Sequence, residues 1–207
     1  MSRLRLRVAP TKSALLGLRK QVRFLRDGHA LLERKRELLT RLVYERIGEY
    51  RRLRGEAKRA LQEAYHWLGI AQLRMGSRSI RQATLGADPS LAVQVLPRSS
   101  LGVQYPSVKA EALPPQPIGL LGTDPSFDEA RRAFSEASAR LARLAEVEMT
   151  LYRLISEQRK AQKRVNALKY NIIPGYEEAI HRIADALEEE ERGTLFQIKR
   201  LRESASQ

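Results

Sequence analysis

Apolar residues recur at alternating steps of three and four along the first third of the chain. The stretch LRKQVRFLRDGHALLERKRELLTRLVYERI, residues 18–47, shows the pattern most clearly. Such steps place side chains on one stripe of an α-helix, and a sustained stripe is the heptad seam of a coiled coil. The clearest seam positions are Leu15, Leu18, Val22, Leu25, Leu32 and Leu39. His29 and Arg36 share this register, so we expect some polar side chains inside the seam.

The last third of the chain repeats the pattern. Its clearest seam positions are Val165, Ile172, Ile183, Leu187 and Ile198. We predict one helix over about 11–75, capped by Thr11 or Ser13, and a second over about 126–203. Ser126 with Glu129 forms a candidate capping box, and Asp124–Pro125 offers an alternative start. Pro174–Gly175 predicts a kink or local break in the second helix.

The segment between the helices has a different character. Seven of the nine prolines lie between residues 76 and 125, and proline breaks helices. Strand-like runs at 91–96 and 101–105 flank a Pro/Ser/Gly turn and predict a β-hairpin, while 107–123 is typical of loop.

These patterns predict an all-α protein. We expect a long antiparallel two-helix coiled coil, with both termini at one end and the Pro-rich insert with its β-hairpin at the other. Residues near 15 would then lie beside residues near 198. The expected division is 1–75 for the basic N-terminal arm and first helix, 76–125 for the insert, and 126–207 for the second helix.

Charge is concentrated in the first helix. The net charge is +14, and residues 1–75 alone contribute +12. An excess of this size predicts acidic partners rather than a particular fold. The chain has no cysteine, which excludes disulfides and thiolate chemistry, and no apolar run approaches the roughly 18 residues of a spanning helix.

The sequence offers little catalytic chemistry. The three histidines, His29, His66 and His181, lack metal-ligand spacing. PTKS at 10–13 ends like a phosphate-binding loop but lacks the upstream glycines. The acidic run at 188–191 is more typical of a solvated helix face than of a metal site. We therefore expect no enzyme activity, no metal and no cofactor.

Polar residues near the seams are better candidates for specificity. Arg36, Glu148, Gln158 and Gln162 lie at or near core positions. Paired polar groups in a seam fix register and partner choice, although a loosely wound coil would leave them at its edge. Tyr65 and Trp67 are candidate anchors for a partner, with core packing as the alternative.

Three segments resemble the D subunit of the V-type and archaeal-type rotary ATPases. They are PTKSALLGLRKQVRFLRDGHALLERKRELL (10–39), KRVNALKYNIIPGYEEAIHRI (163–183) and LEEEERGTLFQIKRLRE (187–203). The most specific part is Arg164-Val165-Asn166-Ala167-Leu168, followed by Ile173-Pro174. Lys169 departs from the Glu expected in many relatives. The resemblance spans both helices in the right order.

The resemblance implies a central rotor axle that binds no nucleotide and transmits torque between ion flow and ATP synthesis or hydrolysis. The implied partners are the A and B subunits of the nucleotide-binding ring, the small F subunit and the funnel-shaped subunit on the membrane rotor ring. It also implies a peripheral position on the cytoplasmic side of the membrane, without membrane insertion or nucleic acid.

Two contact surfaces follow as hypotheses. The cations expected at the shared terminal end would contact the A/B ring: Arg3, Arg5, Arg7, Lys12, Lys199, Arg200 and Arg202. The F subunit would bind near the insert, at Tyr65, Trp67, Val93 and Val95.

Two other functions fit the charge alone. A basic coiled coil can bind nucleic acid through phosphate contacts, and a basic helical hairpin can bind an anionic membrane. Interleaved Glu33, Glu37, Glu45 and Glu49 and the lack of a recognition motif weaken the first alternative. The second lacks an amphipathic face free of partner packing.

Overall fold

The structure, a computed structural model, describes residues 8–85, 87–113 and 122–205. Its elements are α1 (Lys12–Thr84), β1 (Leu91–Ser100), β2 (Val103–Ala112), α2 (Pro125–Ala167), a π-helical segment (Leu168–Ile172) and α3 (Ile173–Ala205). The sequence therefore predicted the fold class correctly. Two long helical stretches pack against each other, and an antiparallel two-stranded hairpin separates them along the chain.

Helix α1 begins where the cap predicted it. The backbone N–H of Ala14 donates to Oγ1 of Thr11 at 3.2 Å, which satisfies one of the unpaired donors of the first turn. The far end differs from the prediction because helix continues to Thr84 after an interruption at Gly76, with φ 76° and ψ 152°. Regular helix thus stops near residue 75, as predicted, but a second helical stretch over 77–84 was missed.

Helix α2 begins with the second of the two predicted caps. Asp124 Oδ1 accepts hydrogen bonds from the Ser126 N–H at 2.8 Å and from the Ser126 hydroxyl. Pro125 follows at the first helical position, where its missing N–H costs nothing. The predicted Ser126–Glu129 capping box does not form, because the Ser126 hydroxyl donates to Asp124 and Glu129 instead accepts from Arg132 at 3.1 Å.

The break predicted at Pro174 takes the form of a π turn. The N–H of Ile173 donates to the carbonyl of Leu168, five residues back instead of four. Pro174 has no N–H to continue the regular ladder, and a π turn inserts one residue while keeping the helix continuous. The interruption therefore lies just before the proline, between α2 and α3.

The hairpin is longer than predicted and turns later. Ser100 pairs with Val103, and the turn is Leu101–Gly102, with φ values of 52° and 75°. Positive φ at both central residues is the type I′ geometry that matches strand twist. The predicted turn at 97–100 is therefore wrong, and so is the predicted loop over 107–112, which belongs to β2.

Pro97 lies within β1 without ending it, and the reason is its position in the hydrogen-bond ladder. Pro97 pairs with Pro106. A proline has no N–H to give to its partner strand, so it is tolerated in a sheet only where that N–H would point away. Pro97 and Pro106 lie opposite each other at such a position, so both strands continue past them.

Residue packing divides the chain into two compact units. The terminal unit comprises Met1–Leu38 and Gln158–Gln207, and the hairpin unit comprises Leu39–Glu157. In the terminal unit, Leu18 packs with Ala179 and Ile183, surrounded by half-buried Leu15, Tyr176, Ile180 and Leu187. In the hairpin unit, Ala60, Ala64 and Ala137 pack together, with Leu61, Ala133 and Phe134 around them.

The helices of the terminal unit are antiparallel, but their register differs from the prediction. Lys12 lies 2.7 Å from Glu191, and Arg26 lies 2.5 Å from Glu177. Leu15 and Leu187 pack against the same buried cluster, and Lys12 pairs with Glu191, so the expectation that Leu15 would lie beside residue 198 is wrong. Sequence periodicity places residues on a stripe but does not say how far two stripes slide along each other.

Most predicted seam positions are removed from solvent. Leu18, Val22, Leu39, Val165 and Ile183 are buried, and Leu15, Leu25, Leu32, Ile172 and Leu187 are half-buried. The exception is Ile198, which is 46% exposed. In the observed register Lys12 already lies opposite Glu191, so α1 provides no described residue opposite Ile198.

Candidate functional site

The cations predicted at the shared terminal end have different surroundings. Arg3, Arg5 and Arg7 lie outside the described residues. Lys12 donates to Glu191, and both side chains are largely exposed. The hydrogen bond and the charge of Glu191 raise the pKa of Lys12, and Lys12 in turn lowers the pKa of Glu191. Lys12 therefore links the start of α1 to α3 and is also accessible to a partner.

The other predicted cations lie on the last turns of α3. Lys199, Arg200 and Arg202 are exposed, as are all residues from 188 to 204. Large apolar side chains are interspersed with them, since Leu195 and Leu201 are 68% and 67% exposed and Phe196 is 63% exposed. Leu195 and Phe196 were not predicted as surface residues, although their positions off the seam were a signal. This end of α3 is a mixed basic and apolar surface.

Tyr65 and Trp67, the two aromatic residues proposed as partner anchors, differ in how much of the side chain is exposed. Tyr65 is 60% exposed, yet its ring meets Phe134 edge-on at a centroid distance of 5.5 Å. Trp67 is half-buried, with the His66 ring 6.0 Å away. Tyr65 therefore fits both alternatives, core packing and partner contact. Its ring packs against Phe134 of α2, while most of its surface is exposed.

The hairpin exposes one strand and packs the other. Val103 and Ser107 of β2 are buried, and the Arg153 guanidinium of α2 donates to the Gln104 carbonyl at 3.1 Å. Strand β1 is exposed along nearly its whole length, including Val93 at 49% and Val95 at 60%. The residues predicted as a contact thus lie on the open strand of an anchored hairpin.

An apolar groove of about 690 Å³ lies at the base of the hairpin. Its walls include Leu68, Ile80, Leu113, Phe127 and Phe134. Nothing in the sequence pattern indicated the groove, because one wall comes from the unpredicted helical stretch over 77–84.

Polar seam residues pair with one another in the terminal unit. Arg36 donates to Gln162 Oε1 at 3.3 Å and lies 3.7 Å from the Glu37 carboxylate. Gln162 in turn donates to Asn166 at 2.8 Å. These bonds join α1 to α2 at a defined register, which is what a polar group in a seam can do.

The remaining polar positions, His29, Gln158 and Glu148, differ in burial. The His29 side chain is 17% exposed, with Nδ1 3.9 Å from Glu33, and its buried Nε2 lacks a hydrogen-bond partner among the described residues. Gln158 is half-buried. Glu148 is exposed, so its expected core position is wrong, because Val147 and not Glu148 faces inward on that turn of α2.

The described ranges bear on two further possibilities, a metal site and a membrane span. Within residues 8–85, 87–113 and 122–205, no three His, Asp or Glu side chains are grouped as metal ligands. No helix there combines the length and apolarity needed to cross a bilayer.

Comparison with known proteins identifies the family of the chain. The family model described as the ATP synthase D subunit matches residues 14–203. A V-type ATP synthase D subunit of Thermotoga neapolitana is 37% identical over 200 residues, covering 96% of this chain and 98% of that protein. An A-type ATP synthase D subunit of Pyrococcus furiosus is 33% identical over 201 residues, covering 95% and 94%. A match of this extent includes both helical stretches and the hairpin between them, so the chain belongs to the ATP synthase D-subunit family.

Proposed function

We infer that the chain is the central stalk subunit of a V/A-type rotary ATPase and transmits torque between the membrane rotor and the nucleotide-binding ring. The observation that carries this inference is the family match over residues 14–203. Seam packing and polar cross-links hold the helical stretches of the terminal unit in register, which supports a role in torque transmission. The protein is non-catalytic in this proposal, and the complex couples ATP synthesis or hydrolysis to proton or sodium transport.

The proposed surroundings follow from membership of such a complex. The chain is a peripheral part of the membrane-bound assembly, on its cytoplasmic side. Its partners are the A and B subunits, the F subunit and the funnel-shaped subunit on the membrane rotor ring. The comparisons lend no support to the nucleic-acid-binding alternative.

The function is tested in a host that carries the whole complex. Deleting the gene for this chain, with re-expression as the control, is expected to abolish ATP-driven ion transport in membrane vesicles. Residual ATP hydrolysis by the A and B subunits is expected to persist without transport. Normal ion transport in the deletion strain would refute the proposed role.

The A/B ring is proposed to contact the basic, apolar end of α3. Lys199, Arg200 and Arg202 are exposed there, and Lys12 is exposed at the start of α1. The proposal also includes Arg3, Arg5 and Arg7, which lie outside the described residues. Replacing the three α3 cations with serine is expected to lower the ratio of ions transported to ATP hydrolysed. The matched control replaces Lys58, Arg59 and Arg78, exposed cations of the hairpin unit. An unchanged ratio in the α3 variant would contradict the contact.

The F subunit is proposed to bind the open strand of the hairpin and the aromatic residues Tyr65 and Trp67 of α1. Val93 and Val95 expose apolar surface on β1, Tyr65 is exposed on α1, and Trp67 is half-buried. Serine at both valines with alanine at Tyr65 is expected to weaken binding of the purified F subunit at least tenfold in titration calorimetry. Serine at exposed Leu16 and Leu73 is the control. Undiminished affinity would place the F subunit elsewhere.

A further inference from the structure

A second apolar row runs along α1 outside the seam. Phe24, Leu31 and Leu38 are separated by seven residues each and are 76%, 67% and 45% exposed. Each one immediately precedes a seam residue, and neighbouring residues on an α-helix are about 100° apart around its axis. The row therefore faces away from the helix that covers the seam, and all three residues belong to the terminal unit.

Cations lie between and beside the members of this row. Lys20 is four residues before Phe24, and Arg34 and Lys35 are three and four residues after Leu31, which are the spacings of neighbours on a helix surface. No salt bridge to these three cations occurs among the described residues, unlike Arg26, which pairs with Glu177. Asp27 is the one acid that lies three or four residues from a member of the row, so the face has a positive excess.

We propose that this face of α1, with Phe24, Leu31 and Leu38 as apolar contacts and Lys20, Arg34 and Lys35 beside them, docks an amphipathic helix of a partner protein that carries apolar residues at heptad spacing and acidic flanks. Row members lie about 10.5 Å apart along the axis, the repeat with which side chains of a facing helix interdigitate. Acidic flanks on the partner complement the cations beside the row.

The pattern favours a protein helix over other acidic partners. An anionic membrane takes up a continuous apolar face, whereas charged side chains interrupt this row between every pair of members. Nucleic-acid backbone binding needs cations but makes no use of regularly spaced leucines. A helix with the matching repeat uses both features.

The inference rests on the proposed function only for the choice of the complex in which it is tested. Because the chain has no cysteine, a single Leu31→Cys variant can carry a benzophenone maleimide at the row. The variant is incorporated into the intact complex, illuminated and digested, and cross-linked peptides are identified by mass spectrometry. Ala30→Cys, exposed on the adjacent residue but off the row, is the matched control.

The expected result is a cross-link yield at least fivefold higher at position 31 than at position 30, to one helical protein segment with heptad-spaced apolar residues and net acidic charge. Adding Lys35→Glu is expected to lower the yield at position 31 at least threefold, while Lys58→Glu leaves it unchanged. Yields equal at both positions, cross-links to lipid or nucleic acid, or a segment without net acidic charge would each overturn the proposal.

Failure of the proposed function has a separate signature. If the chain does not co-purify with ATPase subunits, the stalk assignment fails, whereas an acidic helical segment cross-linked at position 31 still supports the docking face. If it co-purifies but position 31 gives no specific cross-link, the docking face alone is wrong.

Discussion

Leu39 and Leu73 show how much the position of a residue on α1 decides about its role. Both are leucines of the same helix, yet Leu39 is fully buried and Leu73 is 89% exposed. Leu39 lies on the heptad seam predicted from the sequence, and Leu73 lies off it. Periodicity alone therefore distinguished a core leucine from a surface leucine at these positions.

This contrast leads to a stability prediction. Leu39→Ala is expected to lower the free energy of unfolding by about 2–5 kcal/mol, because the buried side chain leaves a cavity as well as losing transfer energy. Leu73→Ala is the matched control and should change it by less than about 0.5 kcal/mol. Urea unfolding followed by circular dichroism measures both, and equal effects would show that Leu39 is not a core residue.

Asp124 determines where α2 begins and makes its stability depend on pH. Hydrogen bonds from Ser126, with a smaller contribution from Arg74 at 3.3 Å, hold the pKa of Asp124 below its ordinary value of 3.8. A carboxyl whose pKa is lowered by folding stabilises the protein above its unfolded pKa. That contribution is lost as the pH falls through the lower, folded pKa.

Asp124→Asn is expected to remove this acid dependence. Asparagine is also a good N-cap, so the melting temperature near neutral pH should change little, whereas Asp124→Ala should lower it. Between pH 7 and about pH 2.5 the wild-type melting temperature should fall further than that of the Asn variant. An identical fall in the two proteins would mean that Asp124 contributes nothing to acid sensitivity.

At the scale of elements, Gly76 is the clearest boundary. Its φ of 76° and ψ of 152° belong to a backbone region that is accessible almost only to glycine. The five glycines of α1 before it, Gly17, Gly28, Gly48, Gly55 and Gly69, have helical neighbours and open space where a Cβ would be. Composition cannot tell these two kinds of glycine apart.

Alanine at the two kinds of site should therefore have opposite effects. Gly76→Ala is expected to destabilise the protein by about 1–3 kcal/mol, since alanine is strained at this φ. Gly69→Ala should stabilise it by up to about 1 kcal/mol, because alanine has the higher helix propensity and nothing obstructs its Cβ. Thermal unfolding of both variants tests the difference, and a stabilising Gly76→Ala would show that the interruption is not a fixed feature.

The sequence predicted element types better than element boundaries. The helices were found because long, sustained periodicity is a strong signal, and the Thr11 cap followed from it. The hairpin was found, but its turn was put at 97–100 because proline and serine are common in turns. The ladder position of Pro97, which depends on its partner Pro106, decided otherwise.

At the scale of the whole molecule, we expect the last part of α3 to contribute to function but not to stability. All residues from 188 to 204 are exposed, and Leu187 is the last described residue that packs against the Leu18 cluster of the terminal unit. Removing residues 192–207 should leave the denaturation midpoint within error of the wild type, yet reduce coupled ion transport in the complex. Truncation from residue 180, which also removes Ile183, should unfold the terminal unit. A large loss of stability in the shorter truncation would contradict this division.

The candidate contact residues were predictable only as a class. Lys199, Arg200 and Arg202 were identifiable as surface cations from their charge, but the exposed Leu195 and Phe196 beside them were not, because an apolar residue is expected to be covered. The row at Phe24, Leu31 and Leu38 was present as a seven-residue repeat in the sequence. Its exposure could be established only from the structure, in which another helix covers the seam and leaves the row open.

The amino-acid sequence was sufficient to predict two long helical stretches with a hairpin between them, the faces that pack, and the family of the chain. These properties depend on local periodicity, proline placement and segment order, all of which are written along one chain. Three-dimensional contacts were needed to establish that Lys12 lies opposite Glu191, that the hairpin turns at Leu101–Gly102, and that Asp124 caps α2. Each of these depends on contacts between distant or competing residues, and many alternatives share the same local pattern. Sliding one helical stripe along another preserves its periodicity, so only the side chains that meet across the seam fix the register.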